Sequence, residues 1–247
     1  MNYSTSIFKI GGKILENPEN IKSTISQLTQ LYEKNVFNKI ILVPGGGSYA
    51  NFIREMQTTL NLDEDLAHWM GILSMDYNGK KLFKRFKNLD LTDDFKVLRE
   101  FKKGFYLFLP FMYLKKIDEL PHNWDVTSDS ITLFLAKKMK LDNCFLIKDV
   151  DGIFDTSNKL IRQIDTVQFK ELRKSGKLAQ LNIKSNNLKN RSKPIDYYLT
   201  QLIELFNISC FILNGSSNVY RILDFFDDSV NEKKKFYTKI LRKKYYN

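Results

Sequence analysis

Lys9 stands two residues before the Gly11-Gly12 pair, at the end of an apolar run, Ile7 to Ile10. A second run, Ile40 to Val43, empties into Pro44, Gly45, Gly46 and Gly47. If the two runs are neighbouring parallel strands, their glycine turns lie side by side, where bare backbone N–H groups approach an anion without Cβ interference. Gly45-Gly46-Gly47-Ser48 also leads into an amphipathic stretch, so the turn would sit at a helix N-terminus, whose free N–H groups and dipole favour negative charge. A lysine beside such turns suits phosphoryl transfer, because a phosphoryl group in flight spreads negative charge that the protein must hold and neutralise. No G-x-x-x-x-G-K-S/T segment occurs, so the chain is not a P-loop enzyme.

Carboxylates supply the second part of the pattern. Trp124-Asp125-Val126-Thr127-Ser128-Asp129-Ser130 runs into a helical pattern, with Ser128 or Asp129 placed to cap it. Asp129 has two readings, a helix cap or a partner that orients Lys9 and keeps it charged. Asp149 and Asp151, at the end of the apolar run Asn143 to Lys148, could bind a ribose or a magnesium ion, or form an Asx turn before Gly152. The spacing Gly45-x-Gly47-x-x-Ala50, with Asp63 or Asp65 downstream, also fits a dinucleotide fingerprint. A Rossmann domain makes that turn at its first strand-to-helix junction, whereas here a strand and a helix precede it.

The elements that must carry these residues alternate. Strand Ser6 to Ile10, helix Asn17 to Glu33, strand Lys39 to Val43, and helices Ser48 to Leu60 and Asp63 to Asn78 give the cadence of an α/β protein with a largely parallel sheet. Phe105 to Leu109 and Asn143 to Lys148 read as strands, Ser128 to Met139 and Pro194 to Phe206 as helices, and Ser209 to Leu213 as a last strand before the turn Asn214-Gly215. Residues Lys174 to Lys193 are rich in Asn, Lys and Ser and read as a mobile loop.

At 247 residues and 43% hydrophobic, the chain suffices for one core. One domain over residues 1–230 is expected, followed by a basic tail over 231–247. The net charge of +11 is uneven: from Asn231 to Asn247 seven bases face one acid. Its aromatics (Phe236, Tyr237, Tyr245, Tyr246) permit RNA contact, but a solvated, helical terminus is the simpler reading, and nucleic acid is not expected as a partner. No apolar stretch approaches the roughly 20 residues of a membrane span. The start of the chain lacks a signal-peptide pattern, so a cytoplasmic protein is expected. Cys144 and Cys210 lie in apolar runs and read as buried thiols, and structural zinc is not expected.

In order, Lys9-Ile-Gly-Gly, Val43-Pro-Gly-Gly-Gly, Ser128-Asp129-Ser-Ile and Asp149-Val-Asp-Gly-Ile-Phe154 resemble the successive motifs of the amino acid kinase superfamily of aspartate, acetylglutamate and uridylate kinases. Ala67-His-Trp-Met-Gly-Ile-Leu-Ser-Met-Asp76 and Trp124-Asp-Val-Thr-Ser-Asp-Ser130 are most similar to the archaeal branch that contains the kinase of methanofuran synthesis, which phosphorylates an aminomethylfuran methyl phosphate.

The resemblance implies a three-layer αβα sandwich on a mostly parallel sheet of about eight strands. It implies ATP with Mg2+ over the C-terminal half and a small-molecule phosphoryl acceptor over the N-terminal half. Relatives are usually dimers or hexamers, so a homo-oligomer is expected. Carried over by motif, Lys9, Gly11 and Gly12 would hold the γ-phosphate and Asp129 would organise the lysine. Lys148, Asp149, Asp151, Gly152 and Phe154 would lie along the nucleoside, and Gly45, Gly46 and Gly47 would cradle the transferring group and acceptor. Arg54, His68, His122, Trp124 and Asp125 are acceptor-side candidates, each with a structural alternative as core or surface.

Two departures stand out. Lys148 replaces a small hydroxyl residue frequent among relatives, and the place of a second catalytic lysine is held by Asp196. Lys184, Lys189, Arg191 and Lys193 are the nearby candidate substitutes, and no motif chooses among them. The leading expectation is an ATP-dependent kinase of a phosphate, phosphonate or carboxylate acceptor. Its rivals are a non-catalytic nucleotide-binding protein on the same fold and, more remotely, an NAD-binding dehydrogenase.

Overall fold

The computed structural model describes residues 3–179 and 195–243. Lys184, Lys189, Arg191, Lys193, Tyr245 and Tyr246 lie outside them, as does most of the polar segment from 174 to 193.

Strand β1 (Tyr3–Ile10) turns through Gly11 into the short helix α1 (Gly12–Glu16). Asn17 then caps α2 (Pro18–Glu33), its side chain accepting from the N–H groups of Glu19 at 3.0 Å and Asn20 at 3.1 Å. Pro18 presets the first helical residue, and Ile21, Ile25 and Leu28 form the stripe that α2 buries. Strand β2 (Phe37–Pro44) lies parallel to β1, with Lys9 opposite Val43 and Ile10 opposite Pro44. Both turns therefore leave the sheet at one level, as the glycine pattern predicts.

Helices α3 (Gly47–Leu60) and α4 (Glu64–Arg85) follow, α4 being capped by the Asp63 carboxylate on the Leu66 N–H at 3.0 Å. Helix α4 runs two turns beyond the predicted end at Asn78, because Gly79 and Leu82 continue its buried face. Strand β3 (Asp90–Thr92), helix α5 (Phe95–Glu100) and strand β4 (Gly104–Phe108) complete one edge. There the buried Lys39 donates to the carbonyls of Leu98 at 2.6 Å and Phe101 at 2.9 Å, satisfying the end of α5.

Helix α6 (Phe111–Ile117) leads through a loop into α7 (Ser128–Lys138), which is almost wholly buried, and then to β5 (Asn143–Lys148). A small hairpin of β6 (Ile153–Phe154) and β7 (Leu160–Ile161) precedes β8 (Gln163–Asp165) and α8 (Thr166–Lys174). Helix α9 (Tyr197–Phe206), strand β9 (Ser209–Asn214), helix α10 (Arg221–Phe226) and strand β10 (Thr238–Leu241) finish the described chain.

Eight strands form one sheet in the order β3-β4-β2-β1-β5-β9-β10-β8. Within this sheet, among the described residues, only the β10–β9 pair is antiparallel. The central strands are apolar throughout because both faces are covered. Ile7, Ile41 and Val43 pack toward Trp69, Ile72, Ile131 and Leu199, whereas Phe8, Ile10, Ile40 and Leu42 pack toward Ile21, Ile25, Leu28 and Ile222. The period of two thus assigns each residue to a layer, and each fully buried Leu, Ile or Phe contributes roughly 1.5–3 kcal/mol. By the same alternation Lys9 falls on the Ile7 face.

The C-terminal segment corrects the expectation of a solvated, helical tail. Thr238 and Ile240 are fully buried, and β10 is inserted between β9 and β8. The Thr238 hydroxyl accepts from the Ile153 N–H at 2.8 Å and donates to the Ile161 carbonyl at 2.7 Å. The Lys235 ammonium, itself buried, donates to the Phe225 carbonyl at 3.0 Å. Part of the basic charge therefore satisfies helix ends rather than facing solvent. Among the described residues, no helix is long and apolar enough to cross a membrane.

Candidate active site

Where β1, β2 and β5 end, the two glycine turns touch. Gly11 donates to the Ile147 carbonyl at 2.8 Å and Gly45 to the Ile10 carbonyl at 2.9 Å, so the turns continue the sheet ladder. A Cβ on Gly12 would lie 2.7 Å from the Gly47 Cα, closer than the backbones allow. Gly47 itself has φ +58, the left-handed region that favours glycine. The Asn78 amide on α4 donates to the carbonyls of Gly45 at 2.8 Å and Gly46 at 3.0 Å and so pins the second turn.

Beneath the turns lies the charged centre. The Lys9 ammonium meets Asp129 Oδ1 at 2.9 Å, and the Lys148 ammonium meets Asp129 Oδ2 at 2.8 Å. One carboxylate holds two lysines. Burial alone would raise the Asp129 pKa, but Lys148 and Lys9 together hold it at about 2. Burial lowers the Lys9 pKa, with Asp129 opposing.

Asp129 is not the cap of α7, and neither is Ser128. Thr127 is, its hydroxyl accepting from the Asp129 N–H at 3.3 Å while donating to Asp196 at 2.6 Å. That arrangement frees the Asp129 carboxylate to turn inward. Asp196 caps α9 on the Leu199 N–H at 2.6 Å and also accepts from the Ser130 N–H at 3.1 Å and the Ser130 hydroxyl. Desolvation, then the nearby Asp129, raise its pKa.

A cleft of about 270 Å³ opens onto this centre. Lys9, Gly11, Gly12, Gly46, Gly47, Lys148 and Asp149 line one part, and Arg54, His68, Trp124, Ile72 and Met75 another. Asp149 pairs with Lys13 at 3.2 Å, so the cleft carries a third lysine that no motif singled out. Gly45, Asp151, Gly152 and Phe154 fall outside the lining. Asp151 instead meets Arg221 at 3.2 Å and the Asn214 amide at 3.1 Å, and Gly152 packs against Thr238.

On the other wall, the Arg54 guanidinium lies 4.4 Å over the Trp124 ring, and the Trp124 N–H donates to Gln57. His68 is buried, and its ring stacks on His122 at 5.0 Å. Desolvation, aided by the neighbouring His122, pulls the His68 pKa down to about 4, so the ring is neutral near pH 7. His122 lies outside the lining, clamped between Asp65 and Asp118 at 2.7 Å. Asp125 is at the surface, in the turn that its N–H closes on Asn123 at 3.0 Å. Trp69 is buried in the core, and its indole N–H donates to Asp65 at 3.0 Å.

Glu16 was not anticipated. It reaches across from α1 to accept from the Ser48 N–H at the start of α3, occupying one of that helix's free donors. Helix α1 has only five residues, too few for periodicity to announce it.

A parallel α/β sandwich whose glycine turns meet over two lysines on one aspartate defines a phosphotransferase. The model of the amino acid kinase family matches residues 4–214, and the chain belongs to that family. It is 28% identical over 238 residues to the 5-(aminomethyl)furan-3-yl methyl phosphate kinase of Methanocaldococcus jannaschii, covering 95% of this chain and 97% of that protein. It is 23% identical over 226 residues to the uridylate kinase of Thermococcus gammatolerans, covering 88% and 93%. The crystal structure of uridylate kinase from Archaeoglobus fulgidus superposes with a TM-score of 0.63 over 95% of this chain and 99% of that one, at 18% identity, a likeness of fold alone.

Proposed function

We propose that the protein transfers the γ-phosphoryl group of MgATP to an oxygen of a small phosphate monoester, forming a diphosphate and releasing ADP. The observation that carries this reading is the Lys9–Asp129–Lys148 group beneath the abutting glycine turns. As an acceptor oxygen bonds to the γ-phosphorus, the bond to the β,γ-bridging oxygen breaks and ADP leaves with its electron pair. A phosphate acceptor arrives ionised, so no strong base is needed; orientation and positive charge are.

Lys9 and the Gly12 N–H would hold the γ-phosphate, with Gly11, whose N–H is committed to Ile147, allowing close approach. Gly46 and Gly47 would hold the transferring group and acceptor. Mg2+ would be held mainly by phosphate oxygens and water, as is usual for this ion at phosphoryl-transfer sites. Asp149, with Lys13, would lie toward the nucleotide.

A phosphate monoester is preferred to a carboxylate because the two kinases named above act, by their names, on phosphate esters. Trp124 under Arg54, the neutral His68, Ile72 and Met75 would take a compact ring-bearing alcohol portion. Self-association would use the face of α3 and α4, where Phe52, Leu73 and Tyr77 are exposed, and light scattering of the purified chain reads its mass.

The test is turnover. Purified protein with MgATP is offered UMP, an aminomethylfuran methyl phosphate, a phosphonate and a carboxylate, and products are followed by phosphorus NMR. A diphosphate product that Lys9→Ala abolishes supports the reading. MgATP binding with no transfer to any class supports the second reading, a non-catalytic nucleotide-binding protein on the same fold.

A further inference from the structure

Sheet geometry puts two lysines, not one, at the centre of the cleft. Strand β5 lies parallel to β1 with Leu146 opposite Lys9 and Ile147 opposite Ile10. Side chains two apart on a strand share a face, so Lys148 projects to the same side as Leu146 and Lys9. Helix α7 covers that side and delivers Asp129, whose two oxygens take one ammonium each, at 2.9 and 2.8 Å. The three side chains are nearly buried, at 7% exposed for Lys9, 6% for Asp129 and 14% for Lys148. Asp129 thus holds two ammonium groups at the cleft floor beside Gly11 and Gly12, with Asp196 behind it bonded to Thr127 and Ser130.

We infer that Lys148 is the second phosphate-neutralising cation of the transfer, acting on the phosphoryl group together with Lys9. The inference rests on the kinase reading. It assigns Lys148 to the transferring phosphoryl rather than to the nucleoside, where motif position alone puts it. Position 196 cannot supply a cation, because its aspartate is committed to Thr127, Ser130 and the Leu199 N–H. Those bonds fix the first turn of α7, which holds Asp129 in place to grip the second lysine from the opposite wall. As charge moves onto the β,γ-bridging oxygen, an ammonium there gains interaction energy that the ground state lacks.

The test compares Lys148→Met, which keeps most of the stem, and Lys148→Arg with wild type and Lys9→Ala. Each is assayed with MgATP and the best acceptor of the panel, and each is titrated with MgADP alone and with MgADP plus fluoroaluminate, a mimic of the phosphoryl in flight. Melting curves show that the variants are folded. The expected result for Lys148→Met is a kcat lower by about 10²–10³-fold, with MgADP affinity within about threefold of wild type and the fluoroaluminate tightening lost. Lys148→Arg should recover part of kcat. If wild type turns over, Lys9→Ala does not, and Lys148→Met keeps kcat within about threefold, this assignment is overturned while the kinase reading stands. If Lys148→Met loses activity only in proportion to MgADP affinity, Lys148 is a nucleotide anchor and the assignment is again wrong. If wild type transfers to no acceptor, the kinase reading and this assignment fall together.

Discussion

His68 and Asp76 should make opposite contributions to acid stability, and His68→Gln should uncover the difference. Both are buried on α4. Burial lowers the His68 pKa from 6.5 to about 4, while burial raises that of Asp76 from 3.8 to about 6, partly offset by the Phe111 N–H it accepts at 3.2 Å. For His68 the unfolded chain takes up the proton first as pH falls below 6.5, so stability is lost between about 6.5 and 4. For Asp76 the folded chain takes it up first, so stability is gained between about 6 and 3.8. At about pH 4.5 relative to neutrality, the first effect removes roughly 2.5 kcal/mol and the second adds roughly 2 kcal/mol.

In wild type these contributions nearly cancel. The assay is urea unfolding of wild type, His68→Gln and Asp76→Asn at several pH values between about 7 and 4.5. Relative to wild type, His68→Gln should gain stability on acidification by roughly 2.5 kcal/mol, and Asp76→Asn should lose roughly 2 kcal/mol. Parallel profiles for wild type and His68→Gln would refute the buried, neutral imidazole. They would also remove the reason to regard His68 as a hydrogen-bonding rather than a charged wall of the cleft.

Three further outcomes follow from particular contacts. Gly12→Ala puts a methyl group 2.7 Å from the Gly47 Cα, so the turns must part; thermal melts should show a loss of about 1–3 kcal/mol, and MgATP turnover should fall more than stability alone explains. Thr238→Val strands the Ile153 N–H now bonded at 2.8 Å, costing about 1–3 kcal/mol in urea unfolding, whereas a solvated tail would show no change. Trp124→Ala removes the ring under Arg54 and should raise the acceptor KM about tenfold with the ATP KM nearly unchanged; equal rises in both would place Trp124 outside the acceptor wall.

The fold was legible wherever burial imposed a period. Strands β1, β2 and β5 are apolar runs because both faces are covered, and α2 announces itself through Asn17, Pro18 and its apolar stripe. What escaped was short or charged. Strands β3, β8 and β10 have three or four residues each, too few for alternation to stand out. In β10 the inward Thr238 and Ile240 are interleaved with Lys239 in a basic run, so net charge outweighed the pattern. Long-range pairing with β8 and β9 supplies the stability that local sequence does not advertise.

The candidate site was legible in its glycines and in Lys9, because strand ends and turn chemistry are local. The Lys9–Asp129 pair was one of two readings the sequence offered; that Lys148 and Asp196 join it was not legible, because they meet Asp129 and its helix only once α7, β5 and α9 are packed. Read by itself, an aspartate at position 196 looks like the loss of a cation. In the fold it is a cap shared by two helices, and its raised pKa, caused first by desolvation and next by Asp129, records the proximity of two carboxylates. A lysine introduced there by Asp196→Lys would sacrifice the Thr127, Ser130 and Leu199 bonds and bring a third ammonium toward Asp129. It would therefore weaken the grip on Lys9 rather than restore a catalytic pair. The charges at this centre act as a set contributed by β1, α7, β5 and the cap of α9, so exchanging one of them alters its neighbours.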